Sequence, residues 1–239
     1  MLPEGDALEL RLRAGVGALG FKLGDAQIHQ LLAYLALIGK WTQVYNLTAL
    51  RDPADMLTHH LLDSLAAVPA LNRQLASMGA QSDASLLDVG SGAGLPGVVF
   101  AICCPALRVT CVDAVAKKAA FIRQAALELK LSNLTGLHVR IESVTEPFEI
   151  VCSRAFASLG DFTVWSQSAL KPCEPGVPGE PGGVWMAMKG KHPADEIALL
   201  PASIEVFHVE QLSVPSLDAE RCIVWARRLE SSVAPENSA

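Results

Sequence analysis

The sequence predicts an α/β protein: a doubly wound sheet with an antiparallel closing strand and a helical extension at the N-terminus. Three observations carry that expectation. Across residues 85–228, short apolar runs alternate with amphipathic helical stretches over short links, the pattern of a sheet wound by crossover helices. One run, Ser85-Leu86-Leu87-Asp88-Val89, opens directly into Gly90-Ser91-Gly92-Ala93-Gly94-Leu95-Pro96-Gly97. Before residue 85 the apolar spacing is helical throughout.

The elements follow in order. Leu8, Leu10, Leu12, Val16 and Leu19 give a loosely helical pattern over 7–20. Asp25 reads as the N-cap of a longer helix, with Ile28, Leu31, Leu32, Leu35, Ile38, Trp41 and Val44 on one stripe. That stripe runs out at Tyr45-Asn46-Leu47-Thr48, and Asp52-Pro53 opens a further helix over 53–67. Strands are expected at 85–89, 108–113, 137–141, 148–153 and 184–188. Helices are expected at 96–103, 115–131, 158–170 and near 195–200. No helical pattern separates the runs 204–210 and 222–228, so they are expected to close the sheet as an antiparallel hairpin. Residues 171–183 hold four prolines and four glycines and read as a loop. The organisation is thus a helical extension (1–80), a sheet domain (81–230) and a polar, disordered tail (231–239).

Composition narrows the class. Of 239 residues, 51% are hydrophobic and 18% charged, which suits a globular chain. A net charge of −6 argues against a general nucleic-acid coat. The charge is uneven: residues 108–154 carry seven Lys/Arg against five Asp/Glu, and 155–239 carry six against eleven. The start, Met1-Leu2-Pro3-Glu4-Gly5-Asp6, does not read as a signal peptide. No apolar run reaches the ~18 residues of a membrane span. A cytoplasmic protein is expected. The six cysteines show neither C-x-x-C nor zinc spacing and read as small buried hydrophobes, with no metal site expected.

A strand, a glycine loop and a helix start make a nucleotide-binding corner. A G-x-G loop alone serves NAD, FAD and S-adenosylmethionine alike. Here Gly90-x-Gly92-x-Gly94 is tighter than a dinucleotide fingerprint and better suited to cup an uncharged amino-acid and ribose portion, which favours S-adenosylmethionine. Asp113 ends the second strand and can accept from both ribose hydroxyls; its plainer role is to cap the following helix. Ile141 and Glu142 lie where this fold flanks an adenine, although an exposed Glu after a strand is more often simply solvated. Arg154 ends the fourth strand, where a guanidinium can reach a carboxylate, a base edge or a phosphate. Enzymes that methylate exocyclic amines carry Asn/Asp-Pro-Pro-Tyr/Phe there; this chain has Ser153-Arg154-Ala155-Phe156, which argues against that chemistry.

Several motifs together closely resemble one bacterial family. They are Trp41-x-x-x-Tyr45-Asn46-Leu47-Thr48, Arg51-Asp52-Pro53, His60-x-x-Asp63-Ser64, Asp88 to Gly97, Ser153-Arg154-Ala155 and Lys189-Gly190. The family is that of the 16S ribosomal RNA guanine-N7 methyltransferases, also called glucose-inhibited division protein B, and the resemblance spans about residues 25–228. It implies a Rossmann-like methyltransferase sheet, S-adenosyl-L-methionine as cofactor, and the 16S rRNA of the small ribosomal subunit or its precursor as partner. No membrane partner and a monomeric state are expected. The family's cofactor contacts fall on Gly90, Leu95, Ile141, Glu142 and Arg154, and the glycine-corner reading adds Gly92 and Asp113. Asn46, His60, Arg140 and Lys189 are candidates to line the substrate side. Guanine N7 bears a lone pair and no proton, so no acid–base residue is named. The stretch 172–183 is longer than expected for the family. Two rivals stay open: a small-molecule N-methyltransferase of the same fold, and a non-catalytic ribosome-assembly factor that binds the cofactor.

Overall fold

The computed structural model describes residues 4–79, 84–173 and 182–229. Helices α1 (Glu4–Ala18) and α2 (Asp25–Tyr45) come first. The cap of α2 lies one residue earlier than expected. Gly24 is the N-cap, its N–H donating to Gln27 Oε1 at 3.0 Å. Asp25 is instead the first helical residue, where its charge suits the helix N-terminus, and it pairs with Arg13 at 2.8 Å. Asp52 does cap α3 (Pro53–Met56), accepting from the N–H groups of Ala54 and Asp55. The helix then widens to π-helical turns over Leu57–Leu62 and returns to α form in α4 (Asp63–Leu65). A separate helix, α5 (Val68–Ser77), follows.

The rest alternates as expected: β1 (Ser85–Val89), α6 (Gly97–Cys103), β2 (Arg108–Asp113), α7 (Ala116–Glu128), β3 (Leu134–His138), β4 (Ile150–Arg154), α8 (Leu159–Trp165), β5 (Val184–Lys189), α9 (Ala194–Ala198), β6 (Ile204–Leu212) and β7 (Arg221–Arg228). The strands form one sheet in the order β3-β2-β1-β4-β5-β7-β6. The first five run parallel; β7 pairs antiparallel with β5 and β6, the expected closing hairpin. The chain leaves β1 in both directions, to β2 on one side and β4 on the other, so the topological switch falls at the carboxyl ends of β1 and β4.

Side chains alternate across the sheet. Leu86, Val109, Cys111, Ile150, Cys152 and Met186 join α1, α2, α6 and α7 in one core. Leu87, Val89, Val151, Trp185 and Val224 face α8 in the other. The N-terminal helices therefore share a core with the sheet. Polar contacts lock that packing, because helix ends leave carbonyls without partners. Gln27 Nε2 donates to Ile102 O and Gln30 Nε2 to Leu129 O, each at 2.9 Å.

Several boundaries differ from expectation. The strand expected at 137–141 pairs over 134–138, from Val109–Leu134 to Asp113–His138. β2 ends at Asp113, so nothing remains for residues 139–141 to pair with, and Ile141–Ser143 forms a 3₁₀ turn. The fourth strand runs 150–154, with Phe148 making only an isolated bridge to Leu170. The helix expected at 158–170 ends at Trp165, followed by a 3₁₀ turn over Gln167–Ala169. Pro96 precedes α6 instead of opening it. Most of the Pro/Gly-rich stretch and the tail at 231–239 lie outside the described residues.

Candidate active site

The glycine loop sits at the switch point. Gly90, Gly92 and Gly94 have φ of +66°, +60° and +83°, values that L side chains rarely adopt. Three of the loop's glycines are also needed for space. A Cβ on Gly90 would stand 2.1 Å from Cδ2 of Phe156, one on Gly94 would stand 2.5 Å from Cγ2 of Val98, and one on Gly97 would stand 2.3 Å from Cys111 Sγ. Gly92 differs: a Cβ there would meet nothing closer than the Gly90 carbonyl at 4.0 Å, so it borders open space. Leu95, buried, completes the loop beneath. Tyr34 reaches over from α2 and donates its hydroxyl to Ala93 O at 2.5 Å, tying the helical extension to the loop.

Two aspartates hold this corner. Asp88 has no exposed surface; its Oδ2 accepts from Gly97 N at 2.9 Å, and the thiols of Cys111 and Cys152 lie 3.8 Å from its oxygens. Burial pushes its pKa up to about 6, opposed by the Gly97 N–H, so it anchors α6 from below. Asp113 accepts from Gly92 N at 3.0 Å through Oδ2 and from Val115 N at 2.8 Å through Oδ1, and Lys118 Nζ lies 3.6 Å away. It therefore caps the turn into α7 and also orders the glycine loop. Each carboxylate oxygen retains acceptor capacity for a further donor.

A second polar centre faces the corner from the helical side. Arg154 Nη1 donates to Asp63 Oδ2 at 2.6 Å and to His59 O at 3.0 Å. Arg221 Nε donates to the other oxygen, Asp63 Oδ1, at 2.7 Å. Asp63 is 3% exposed, so one buried carboxylate is shared by two guanidinium groups. His60 Nε2 lies 2.8 Å from Thr48 Oγ1. Its burial, aided by the positive charge of Arg154, lowers its pKa to about 4, which keeps the ring neutral near pH 7. The Nδ1 of His60 and the Oγ of Ser64 are buried without a hydrogen-bond partner in the structure.

Comparison with known proteins assigns the family. The GidB family model, described as "rRNA small subunit methyltransferase G", matches residues 27–224. The chain belongs to the GidB family. It is 66% identical over 220 residues to the ribosomal RNA small subunit methyltransferase G of Polaromonas naphthalenivorans, covering 92% of this chain and 96% of that one. It is 63% identical over 225 residues to the protein of the same name from Acidovorax sp. strain JS42, covering 92% and 96%. Among solved structures, the magnesium protoporphyrin IX methyltransferase of Synechocystis PCC 6803 shares the fold, with a TM-score of 0.54, 13% identity, and coverage of 87% of this chain and 99% of that one.

Within this GidB chain the remaining candidates are spread out. Ile141 is buried and Glu142 exposed on the 3₁₀ turn after β3, with Arg140 exposed just before it. Asn46 ends α2 at φ +51°, its Oδ1 accepting from Arg51 Nη2 at 2.7 Å. Lys189 is committed elsewhere, donating to Ala157 O at 3.1 Å and Glu196 Oε2 at 2.8 Å. It therefore braces the loop after β4. Trp41 packs on Phe121 of α7 and on Tyr45, with centroids 5.3 and 5.1 Å apart. Sequence reasoning assigned no role to Asp63, Arg221, Tyr34 or Phe156. Asp63 belongs to the His60-x-x-Asp63-Ser64 pattern, whereas Arg221 carries no local signal.

Proposed function

We propose that this chain transfers a methyl group from S-adenosyl-L-methionine to N7 of a guanine in the 16S rRNA of the small ribosomal subunit. The reading rests on one observation above all: a GidB-family chain whose glycine loop keeps a side-chain-free position, Gly92, bordering open space beside the Asp113 carboxylate. These residues fit the cofactor. Gly92 allows close backbone approach. Asp113 has acceptor capacity for ribose hydroxyls. Ile141 and Glu142 would line the adenine side, and Arg154, held by Asp63 at 2.6 Å, would meet the carboxylate end.

When bound, the cofactor supplies an electrophilic methyl on a sulfonium, released as a neutral thioether once the methyl has moved. The protein's part is positioning, for which orientation alone can supply roughly 7–11 kcal/mol of barrier reduction. N7 already carries its lone pair, so no residue need take a proton. The neutral His60 adds no charge to a base that becomes cationic. Arg154, locked to Asp63, is restrained from pressing against N7. Asn46 and Arg140, at the rim, are assigned to the RNA side.

The test is to offer labelled S-adenosylmethionine with undermethylated small subunits, naked rRNA or a panel of small amines. Label in RNA supports the reading. Label only in small molecules would install the small-molecule methyltransferase. Cofactor binding without label anywhere would leave a non-catalytic assembly factor.

A further inference from the structure

At the end of β4 the chain turns sharply, with Ala155 at φ +53°, a conformation uncommon for a residue with a Cβ and concentrated at functional sites. The turn lays the ring of Phe156 across Gly90, close enough that any side chain at position 90 would strike it. Trp165, at the end of α8, meets Phe156 edge-on at 6.0 Å and 81°, and stays 39% exposed. The half-buried ring of Phe156 thus stands just past the end of β4 against Gly90 of the glycine corner, with Trp165 braced against it. Neither has a role in holding the cofactor as assigned above.

The geometry points to Phe156, backed by Trp165, as the platform on which the target guanine stacks. The inference rests on the rRNA reading and names a residue for it. A base splayed out of an RNA strand is held by stacking on aromatic side chains, which needs no particular hydrogen-bond edge. The N7 lone pair lies in the base plane, so a ring on the base's face restrains tilt and leaves the N7 edge free. Methylation gives the base a positive charge, and the electron-rich face of an aromatic ring attracts a cation. The stack therefore strengthens as the methyl moves, which favours the transition state over bound substrate. Arg154, two residues earlier in the chain, could not supply that; its charge would oppose the one developing on the base.

The test compares Phe156→Leu with Phe156→Tyr, measuring cofactor affinity by calorimetry and methylation of undermethylated subunits by label. Stacking of about 1–3 kcal/mol per base predicts a ~10- to 100-fold loss of kcat/KM for subunits in Phe156→Leu. The cofactor Kd should stay within about twofold, and Phe156→Tyr should recover activity. Phe156→Met, also apolar and non-aromatic, gives the same two readings if Phe156→Leu does not fold. Activity within about threefold of wild type in the non-aromatic variant overturns the platform. So does an equal loss of cofactor affinity, which would make Phe156 a wall of the cofactor pocket. A wild-type protein that labels no guanine N7 removes the rRNA reading and the platform together; a labelling wild type with an active Phe156→Leu removes only the platform.

Discussion

Replacing Asp63 with alanine probes the joint between the helical extension and the sheet. The carboxylate is 3% exposed and takes one hydrogen bond from Arg154 at 2.6 Å and one from Arg221 at 2.7 Å, so it joins α4 to the end of β4 and the start of β7. Asp63→Ala leaves two guanidinium groups without their anion. Their side chains are 19% and 25% exposed, so water reaches them only in part. Breaking a buried ion pair costs about 3–5 kcal/mol, and this partly wetted one belongs at the lower end, about 3 kcal/mol. For a chain of this size each kcal/mol moves Tm by roughly 2–4 °C, so Asp63→Ala should lose ~6–12 °C. Asp63→Asn keeps an acceptor oxygen and the shape, and should fall between alanine and wild type. Thermal unfolding followed by circular dichroism reads the series, and calorimetry reads the cofactor. Once Arg154 is unpinned, cofactor affinity in Asp63→Ala should fall at least tenfold. A Tm within about 2 °C of wild type would refute the claim that the shared carboxylate holds the helical extension to the sheet.

Other residues separate cofactor binding from folding. Gly92→Ala carries only the left-handed φ penalty, about 1–2 kcal/mol, so it should fold but bind cofactor at least tenfold more weakly; Gly90→Ala adds the collision with Phe156 and should not accumulate as folded protein. If Gly92→Ala binds cofactor normally, the open side of the loop is not the binding side. Asp113→Ala should weaken cofactor binding at least tenfold, since hydrogen bonds to a charged acceptor are worth about 1.5–3 kcal/mol each, and unchanged calorimetric affinity would remove Asp113 from the site. Acid should act on His60 and Asp88 in opposite senses. The folded pKa of His60, about 4 against an ordinary 6.5, means its contribution is intact above pH 6.5 and lost as pH falls toward 4. Asp88, raised from 3.8 to about 6, destabilises the fold when charged, and that burden lifts as pH falls through the same range. His60→Gln should therefore gain Tm relative to wild type between pH 6.5 and 4; parallel curves would contradict the shift.

Much of this was legible because it is local. Ser85–Val89 and Arg108–Asp113 matched expectation because a buried parallel strand is a continuous apolar run with a clear end. The strand near 137 slipped because Leu137-His138-Val139-Arg140-Ile141 alternates like a strand, and only the length of β2 limits the pairing. The cap of α2 was misplaced because Gly24 carries no side chain to announce it; the signal was Gln27, three residues on. Asp113 was readable as a site residue from its place after β2, yet its grip on Gly92 N was not. The Asp63 centre was hidden for a stronger reason: its partners lie 91 and 158 residues away in sequence, and no local pattern encodes them. Phe156 has no local signal for its place, because its contact with Gly90 emerges from the turn at Ala155.

The central claim is methyl transfer to N7 of a guanine in small-subunit rRNA. N7-methylation makes the base cationic and labile, so the strand breaks at that guanine after borohydride reduction and aniline treatment. Undermethylated small subunits, incubated with this protein and S-adenosylmethionine, should gain one new cleavage in 16S rRNA, absent when the protein or the cofactor is withheld. Label incorporated into the rRNA with no new cleavage at any guanine would place the methyl on another atom and contradict the account.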